Sequence, residues 1–283
     1  MFDHVQGLTP QRAALLAGLV QQCSALLERG AGKDAVQRLL HQRGIGVIDS
    51  ILVTRQLLGG GPGTLSEAKK SVLTSPVRAA ELRTHQQLVD TLERALDIAN
   101  AVLDLPRAAG GTTIVGIDGP SGSGKTTLAD AVAELLDGCP IVAGDDFYRP
   151  MPEHEREQLD PAQGYHGYFD WQRLRDQVLA PLRTGQPARY QRFDWATGEL
   201  RSWREIVSTA AVIVDGVYAA RPELAPYYHF TVYVDTSRET CLQRMRARGQ
   251  NPEQWITRWR AAEDHYLRTT WPQTRVNLVV KGD

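Results

Sequence analysis

The spacing of hydrophobic and polar positions changes near residue 110 and divides the chain into two predicted regions. Before this point, apolar residues recur at three- and four-residue intervals, which is typical of amphipathic helices. After it, short β-branched apolar runs alternate with helical segments, and this alternation predicts a parallel sheet covered by helices. We therefore expect a helical domain at 1–105 and an α/β domain at 112–283.

The pattern of the first region predicts five helices. Thr9 and Pro10 indicate a helix start, because threonine caps free amides and proline is tolerated at the first helical position. Glycine-rich breaks at 59–63 and 105–111 interrupt the pattern, and the second marks the expected domain boundary. The predicted helices are 10–27, 34–42, 47–58, 65–73 and 76–103.

The second region contains five strand-like runs, and we expect a doubly wound parallel sheet of about five strands. Ligands bind at the carboxyl ends of the strands in such sheets. Aspartates follow two of the runs at Asp145, Asp146 and Asp215, which places them at that edge. The runs are 112–118, 140–143, 210–214, 229–234 and 276–280.

Between the first run and an amphipathic helix, Gly119–Thr126 fits the phosphate-binding pattern G-x-x-x-x-G-K-[ST]. Its glycines let successive amides point at phosphate oxygens, aided by the helix dipole. Lys125 is expected to reach the β- and γ-phosphates and Thr126 to bind Mg²⁺. The pattern predicts ATP and Mg²⁺ as cofactors, held by Gly119, Ser121, Gly122, Ser123, Gly124, Lys125, Thr126 and Thr127.

Carboxylates and arginines supply the remaining candidate chemistry. A carboxylate at Asp145 or Asp146 can take the proton of an attacking hydroxyl or hold Mg²⁺, and the spacing alone does not choose between them. Asp215 is a second candidate magnesium ligand. Arg244 and Arg248 follow on a helix that leads into a loop, where an arginine can neutralise charge on a transferring phosphoryl group.

One further helical pattern has no assigned chemistry. Trp255, Trp259, Glu263 and Tyr266 lie at three- and four-residue spacings. We interpret them as a packed helix face rather than a platform for stacking bases.

Composition narrows the class of protein. With 32 basic and 33 acidic side chains, the net charge of −1 gives no reason to expect nucleic-acid or anionic-membrane binding. Three widely spaced cysteines argue against a disulfide framework or a zinc site. No stretch has transmembrane length and the start of the chain lacks the pattern of a signal peptide, so a cytoplasmic protein is expected.

Residues 112–283 resemble the uridine kinase and phosphoribulokinase family, because six motifs occur in the family's order. They are Gly119–Thr127, Asp145–Tyr148, Tyr168–Trp171, Arg189–Tyr190, Asp215–Tyr218 and Asn277–Gly282. The resemblance implies ATP- and Mg²⁺-dependent phosphorylation of a hydroxyl on a small metabolite. It further implies that Asp145 is the general base, that Asp215 lies near Mg²⁺ and that Arg244 and Arg248 are lid arginines.

The resemblance also implies a substrate pocket with walls at Tyr148 and Tyr190. The expected pocket is aromatic and basic, which suits a flat ring or an anionic group on the acceptor. The pattern adds Arg149, Phe169, Trp171, Arg189, Arg192 and Trp195 to its walls. Uridine kinases have an aspartate where this chain has Gly164, an acidic residue at Gln191 and a histidine at Trp195. Since a site that loses its hydrogen-bonding partners loses discrimination, uridine is a doubtful substrate.

Two rival functions remain open. A nucleotide-gated regulator would use ATP to control a partner of the helical region, and a sugar-nucleotide or antibiotic kinase would share the phosphate loop. Residues 47–58 and 65–72 faintly resemble a helix pair of the ribosomal stalk protein, where the pair serves protein contacts. A homo-oligomer or protein partner is therefore one interpretation of these helices, and a purely structural helical module is the favoured one. Because the last strand run is followed by no further helix, we expect the helix at 76–103 to cover one face of the sheet.

Overall fold

A computed structural model of the chain describes residues 2, 8–61, 63–106, 111–207 and 209–282. The chain forms two compact units, Met1–Val89 and Asp90–Asp283. The division lies within one long helix, earlier than the break at 105–111 that the sequence favours. The domain limits 1–105 and 112–283 therefore stay a prediction about which segments fold independently.

The first unit consists of helices, as predicted. Thr9 caps the first helix by accepting a hydrogen bond of 3.3 Å from the Arg12 amide, and Pro10 begins it. Its core is formed by Leu16, Leu19, Cys23, Val36, Leu40 and Val53. The helices are α1 (Pro10–Glu28), α2 (Lys33–Gln42), α3 (Val47–Leu57) and α4 (Thr64–Leu73), followed by a short turn at Pro76–Arg78 and by α5 (Ala79–Leu103), which continues into the second unit.

The second unit is built on a parallel sheet of five strands in the order β2-β5-β1-β6-β7. These five strands lie at the five predicted runs, so the predicted fold class is confirmed. Strands β3 and β4 form a two-stranded antiparallel hairpin, which is not part of the five-stranded sheet. The strands are β1 (Thr113–Asp118), β2 (Ile141–Ala143), β3 (Ala188–Asp194), β4 (Glu199–Ile206), β5 (Ala211–Asp215), β6 (Phe230–Asp235) and β7 (Leu278–Lys281).

Helices occupy the connections between the strands. The first of them begins directly after the phosphate-binding pattern, and the last carries the tryptophans at helical spacing. They are α6 (Lys125–Leu135), α7 (Glu153–Gln158), α8 (Pro161–Gly167), α9 (Trp171–Leu174), α10 (Ala180–Arg183), α11 (Arg238–Arg248) and α12 (Glu253–Thr270).

The end of α5 covers one face of the sheet. Ala95, Ile98, Ala99 and Val102 are buried in one cluster with strand residues such as Val115. Their spacing places them on one side of the helix, and the small alanines allow a close approach to the strands. The expectation that this helix covers the sheet is confirmed for the part that belongs to the second unit.

The other face is covered by segments that the apolar runs did not reveal. Tyr190 of β3 and Ile206 of β4 are buried against Ile114 and Val212 of the sheet. Helices α9 and α10 and the π-helical turn at 175–179 between them complete this cluster. The hairpin therefore belongs to the folded core of the second unit and not to a surface loop.

We predict that shortening Ile98 destabilises the second unit. Ile98→Ala should lower the free energy of unfolding by about 2 to 5 kcal/mol, because a cavity forms beneath a fully buried side chain. All six tryptophans lie in this unit, so tryptophan fluorescence during urea denaturation follows its unfolding. Leu96→Ala is the matched control, since Leu96 lies on the same helix and is 50% exposed. Equal losses for the two variants would contradict the packing of α5 on the sheet.

Candidate active site

The phosphate-binding pattern forms the turn between β1 and α6. Gly119, Gly122 and Gly124 have positive φ angles, which L side chains rarely adopt. A Cβ atom at Gly122 would lie 2.5 Å from the carbonyl oxygen of Cys241, so α11 passes too close for any side chain. The glycine pattern is therefore required by both backbone conformation and packing.

Lys125 and Thr126 begin α6 at the mouth of this loop. The Lys125 ammonium donates to the Pro120 carbonyl oxygen at 3.2 Å, and Thr126 Oγ1 donates to Asp215 Oδ2 at 2.7 Å. The second carboxylate oxygen of Asp215 is buried and has no hydrogen-bond partner in the part of the chain that the structure describes. Burial raises the pKa of Asp215, while Lys125 and Thr126 oppose the rise.

The two adjacent aspartates after β2 have different surroundings. Asp146 is buried; Oδ1 accepts from Arg192 Nε at 2.9 Å and Oδ2 accepts from the Tyr190 hydroxyl at 3.3 Å. Asp145 instead borders the cleft that contains Lys125. The structure thereby separates the pair that the sequence left open, since only Asp145 faces the cleft.

Asp145 is exposed to the cleft, yet the surrounding protein displaces much of the water about its carboxyl. This loss of water around the carboxyl raises the pKa of Asp145, and the negative charges of Asp215 and Asp146 raise it further. Lys125 and Arg248 act in the opposite direction. The carboxyl therefore lies between cations that favour its charged form and acids that disfavour it.

The candidate arginines of α11 separate into two groups. Arg244 donates to the carbonyl oxygens of Gly122 and Ser123 at 3.3 Å, so it braces the phosphate loop from outside. Arg248 is exposed and lines the cleft together with Asp145. Sequence reasoning gave both arginines the same role, and the structure brings only Arg248 to Asp145.

A larger cavity of about 980 Å³ opens on the far side of Asp145. A smaller recess lined by Asp145 and Arg248 joins this cavity to the phosphate loop. The residues of the large cavity are apolar, aromatic and polar: Asp145, Pro150, Met151, Pro152, Glu153, Arg156, Phe193, Trp195, Ala196, Thr197, Gly198, Gln250, Asn251 and Trp255.

Most of the predicted pocket residues do not line this cavity. Tyr148, Phe169 and Tyr190 are at most 2% exposed, and Tyr148 borders only the smaller recess. Arg149 donates to the Gln172 side chain, and Arg192 is held by Asp146. Tyr190 and Arg192 belong to β3 and contact Asp146, so these side chains support the site from behind the cavity lining.

The cavity residues that sequence reasoning missed come mainly from turns. Met151 and Pro152 lie in the turn before α7, and Gln250 and Asn251 connect α11 to α12. A turn carries no periodic pattern, so only the placement of its flanking elements could have identified these residues. The exception is Trp195, which was expected in the pocket and lies in the cavity at 48% exposure.

Comparison with known proteins agrees with this geometry. A family described as "AAA domain" matches residues 115–268, which is more than half of the chain. The chain belongs to this family. The match spans the phosphate loop, both cleft aspartates and the greater part of α12.

Individual relatives specify the branch. The uridine kinase of Borrelia duttonii is 29% identical over 164 residues, covering 56% of this chain and 76% of the relative. The uridine kinase of Staphylococcus epidermidis is 31% identical over 139 residues, covering 47% and 66%. A solved structure of a possible uridine kinase from Bacillus stearothermophilus matches with a TM-score of 0.53 and 25% identity, covering 66% of this chain and 97% of the other.

A putative fructose transport system kinase from a Silicibacter species has the same fold, with a TM-score of 0.52 and 19% identity over 66% of this chain and 98% of the other. The α/β region of this AAA domain protein is a P-loop kinase segment similar to uridine kinases, and the predicted resemblance is confirmed. Among the described residues, no helix combines the length and apolar character needed to cross a membrane.

We predict that a methyl group at Gly122 disables the phosphate loop. Gly122→Ala should weaken ATP binding by about tenfold or more, because the added carbon meets the backbone of α11. Gly138→Ala is the control, since Gly138 also has positive φ but open space around it. In both variants, an L side chain at a positive φ angle costs about 1 to 2 kcal/mol, so this cost does not distinguish them. Calorimetric titration with ATP separates them, and equal affinities would contradict the close contact.

Proposed function

We propose that the protein transfers the γ-phosphoryl group of ATP to a hydroxyl of an uncharged, ring-bearing small metabolite. The observation that carries this proposal is the placement of Asp145. Its side chain borders the phosphate loop, the smaller recess and the large cavity. A carboxylate at such a junction lies between a bound triphosphate and an acceptor, where a general base for phosphoryl transfer is needed.

The nucleotide half of the site consists of the loop amides, Lys125 and Thr126. Amides at the start of α6 and the Lys125 ammonium would bind the β- and γ-phosphates. The unpartnered buried oxygen of Asp215, beside Thr126 Oγ1, fits a magnesium site. Magnesium held there would neutralise charge on the phosphate oxygens.

In the proposed reaction, Asp145 accepts the proton of the acceptor hydroxyl as its oxygen bonds to the γ-phosphorus. The bond between that phosphorus and the β,γ-bridging oxygen breaks, and ADP leaves with the electron pair. Arg248 lines the same cleft and is exposed, so it can contact the transferring phosphoryl group. Asp146 has a different role, because it fixes Arg192 and Tyr190 in the wall of the pocket.

The acceptor class is argued from the lining of the large cavity. Trp195, Trp255 and Phe193 contribute aromatic surface, and Gln250 and Asn251 contribute neutral polar groups. Aromatic walls favour a flat ring, since stacking and edge contacts are favourable.

The arginines expected to attract an anionic acceptor have partners instead. Arg192 is held by Asp146, and Arg149 donates to the Gln172 side chain. Arg156, which the sequence did not single out, lies in the cavity wall and pairs with Glu153 at 3.4 Å. These contacts support an uncharged acceptor over the anionic one that the sequence left open.

The environment of Gly164 weighs against uridine. A Cβ atom at this position would lie 2.7 Å from the ring of Tyr168. That ring is itself fixed, stacked on Trp259 with centroids 4.6 Å apart and an interplanar angle of 6°. An aspartate, which uridine kinases carry here, therefore has no room in this chain.

We predict that Asp145→Asn lowers turnover by about 10² to 10⁴ while ATP affinity remains, because the amide cannot accept the proton. ADP release across a panel of ring-bearing alcohols measures turnover, and titration measures affinity. The control is Asp176→Asn, which removes an exposed carboxylate paired with Arg175.

The pH profile gives a second readout of the same role. Asp145 acts as a base only when it is deprotonated, and its pKa is raised. As the pH is lowered, activity should therefore begin to fall while the pH is still above the ordinary aspartate pKa of about 3.9. Unchanged turnover in the asparagine variant would remove Asp145 from this role. Tight ATP binding with no stimulation by any acceptor would favour the nucleotide-gated regulator.

We also predict that Trp195 determines acceptor affinity. Trp195→Ala should raise the acceptor KM by about tenfold or more with little change in the ATP KM, because a tryptophan contact in a binding pocket is commonly worth about 2 kcal/mol. Trp203→Ala is the matched control: Trp203 is on the same hairpin and 53% exposed, but stacks with Arg189 outside the cavity. Equal KM values for the two variants would place the acceptor elsewhere.

A further inference from the structure

Glu263 is a buried carboxylate for which the proposed reaction has no use. It is 1% exposed and shares one face of α12 with Trp259 and Tyr266, at spacings of four and three residues. The predicted packed face is confirmed for Trp259, Glu263 and Tyr266, whereas Trp255 is half-buried and lines the large cavity. Packing does not explain a charged group there, because burying a carboxylate is costly unless it is paired and hydrogen-bonded.

The partner of Glu263 is a residue of the phosphate loop. Oε2 of Glu263 accepts from the Ser121 backbone amide at 3.2 Å, and Oε1 accepts from the Ser121 hydroxyl. Arg260 Nη1 lies 3.8 Å from the same carboxylate. Two charge-assisted hydrogen bonds from a single residue fix the orientation of that residue and offset part of the burial cost.

The location of this charge is informative. A negative charge behind a loop that binds phosphate repels the ligand, so Glu263 does not serve affinity through its charge. The contact instead fixes the direction of a loop amide, because the Ser121 N–H points to Glu263. In the described part of the chain, the backbone amides of Gly122 and Gly124 donate no hydrogen bond. The sequence assigned Ser121 to the phosphates together with these glycines. Ser121 borders the same cleft as they do, but its amide and hydroxyl are directed at Glu263.

A second contact from the same helix face supports the loop. The Tyr266 hydroxyl donates to Asp118 Oδ2 at 2.6 Å, and Asp118 Oδ1 accepts from the Gly119 amide at 2.6 Å. Helix α12 therefore contacts the start of the loop at two positions, Asp118 and Ser121. Glu263, Tyr266 and Asp118 are at most 1% exposed and Ser121 is half-buried, so water competes little for these contacts.

We propose that Glu263 is a positioning residue for triphosphate binding. By taking both hydrogen-bond donors of Ser121, it fixes the first turn of the loop and leaves the following amides directed at the phosphates. This inference rests on the ATP site of the proposed function.

The test separates reach from charge. Glu263→Asp keeps the charge but is one carbon too short to reach Ser121, whereas Glu263→Gln keeps the reach and loses the charge. ATP and AMP dissociation constants are measured for each variant by titration calorimetry, because AMP lacks the β- and γ-phosphates. We expect Glu263→Asp to weaken ATP by about tenfold with AMP within about twofold, and Glu263→Gln to lose less.

Two further variants complete the design. Ser121→Ala removes one of the two hydrogen bonds from the loop side and should also weaken ATP selectively, even if a variant at Glu263 fails to fold. Asp264→Asn changes the next residue of α12, which pairs with Arg238 away from the loop, and should bind ATP as the wild type does.

Three outcomes would overturn the inference. If the aspartate variant binds ATP as the wild type does, reach is irrelevant. If ATP and AMP weaken equally, the effect is a general loss of structure. If the wild type does not bind ATP more tightly than AMP, the nucleotide site of the proposed function is contradicted as well. If the wild type prefers ATP and the variants bind ATP equally well, only the role of Glu263 is contradicted.

Discussion

Parallel pairing of the central strands is the constraint on which the site depends. In the register of β5, Asp215 is paired with Ile117 of β1 and with Ala143 of β2. Three segments distant in sequence therefore end at one edge of the sheet: the phosphate loop, the turn with Asp145, and Asp215. A shift of one residue in either pairing would turn these side chains to the other face. Packing on both faces, by α5 and α6 on one side and by the hairpin on the other, maintains that register.

Carboxylates in distinct environments give this edge its chemistry. Asp215 is hydrogen-bonded to Thr126, and its other oxygen has no partner among the residues that the structure describes. Asp146 is paired with Arg192, and Asp145 remains open to the cleft. Burial raises the pKa of Asp145 and Asp215, so each needs nearby positive charge to remain ionised. Lys125 supplies that charge for both. The same groups would carry a bound triphosphate and a proton transfer, which explains why they are concentrated here.

Much of this architecture could be predicted from the sequence. The five sheet strands, the helices of the first unit and the loop at Gly119–Thr126 all have local signals in spacing or in glycine and proline positions. The hairpin β3–β4 was missed because neither strand is a continuous apolar run: β3 alternates between buried and exposed residues, and β4 is mostly exposed. Charged side chains such as Arg192 interrupt the pattern further. An exposed arginine and one paired with Asp146 look alike in a sequence, so the pocket was expected to be basic.

The contacts of α12 could not be predicted for a related reason. Its spacing indicated a packed face, but the partner of Glu263 lies 142 positions away in the sequence. Local patterns show which side of a helix is buried and not what it is buried against. The lining of the large cavity could not be predicted for the same reason, since residues from turns after β2 and α11 meet only when the sheet and α12 are assembled.

The most direct test of phosphoryl transfer across this cleft is to identify the product. The protein is incubated with ATP and a mixture of uncharged ring-bearing alcohols, and new phosphate esters are sought by mass spectrometry, with Lys125→Ala as the inactive reference. The account predicts one phosphorylated alcohol formed in equal amount to ADP. Formation of ADP with inorganic phosphate alone, or a phosphate ester only on an anionic acceptor, would contradict it.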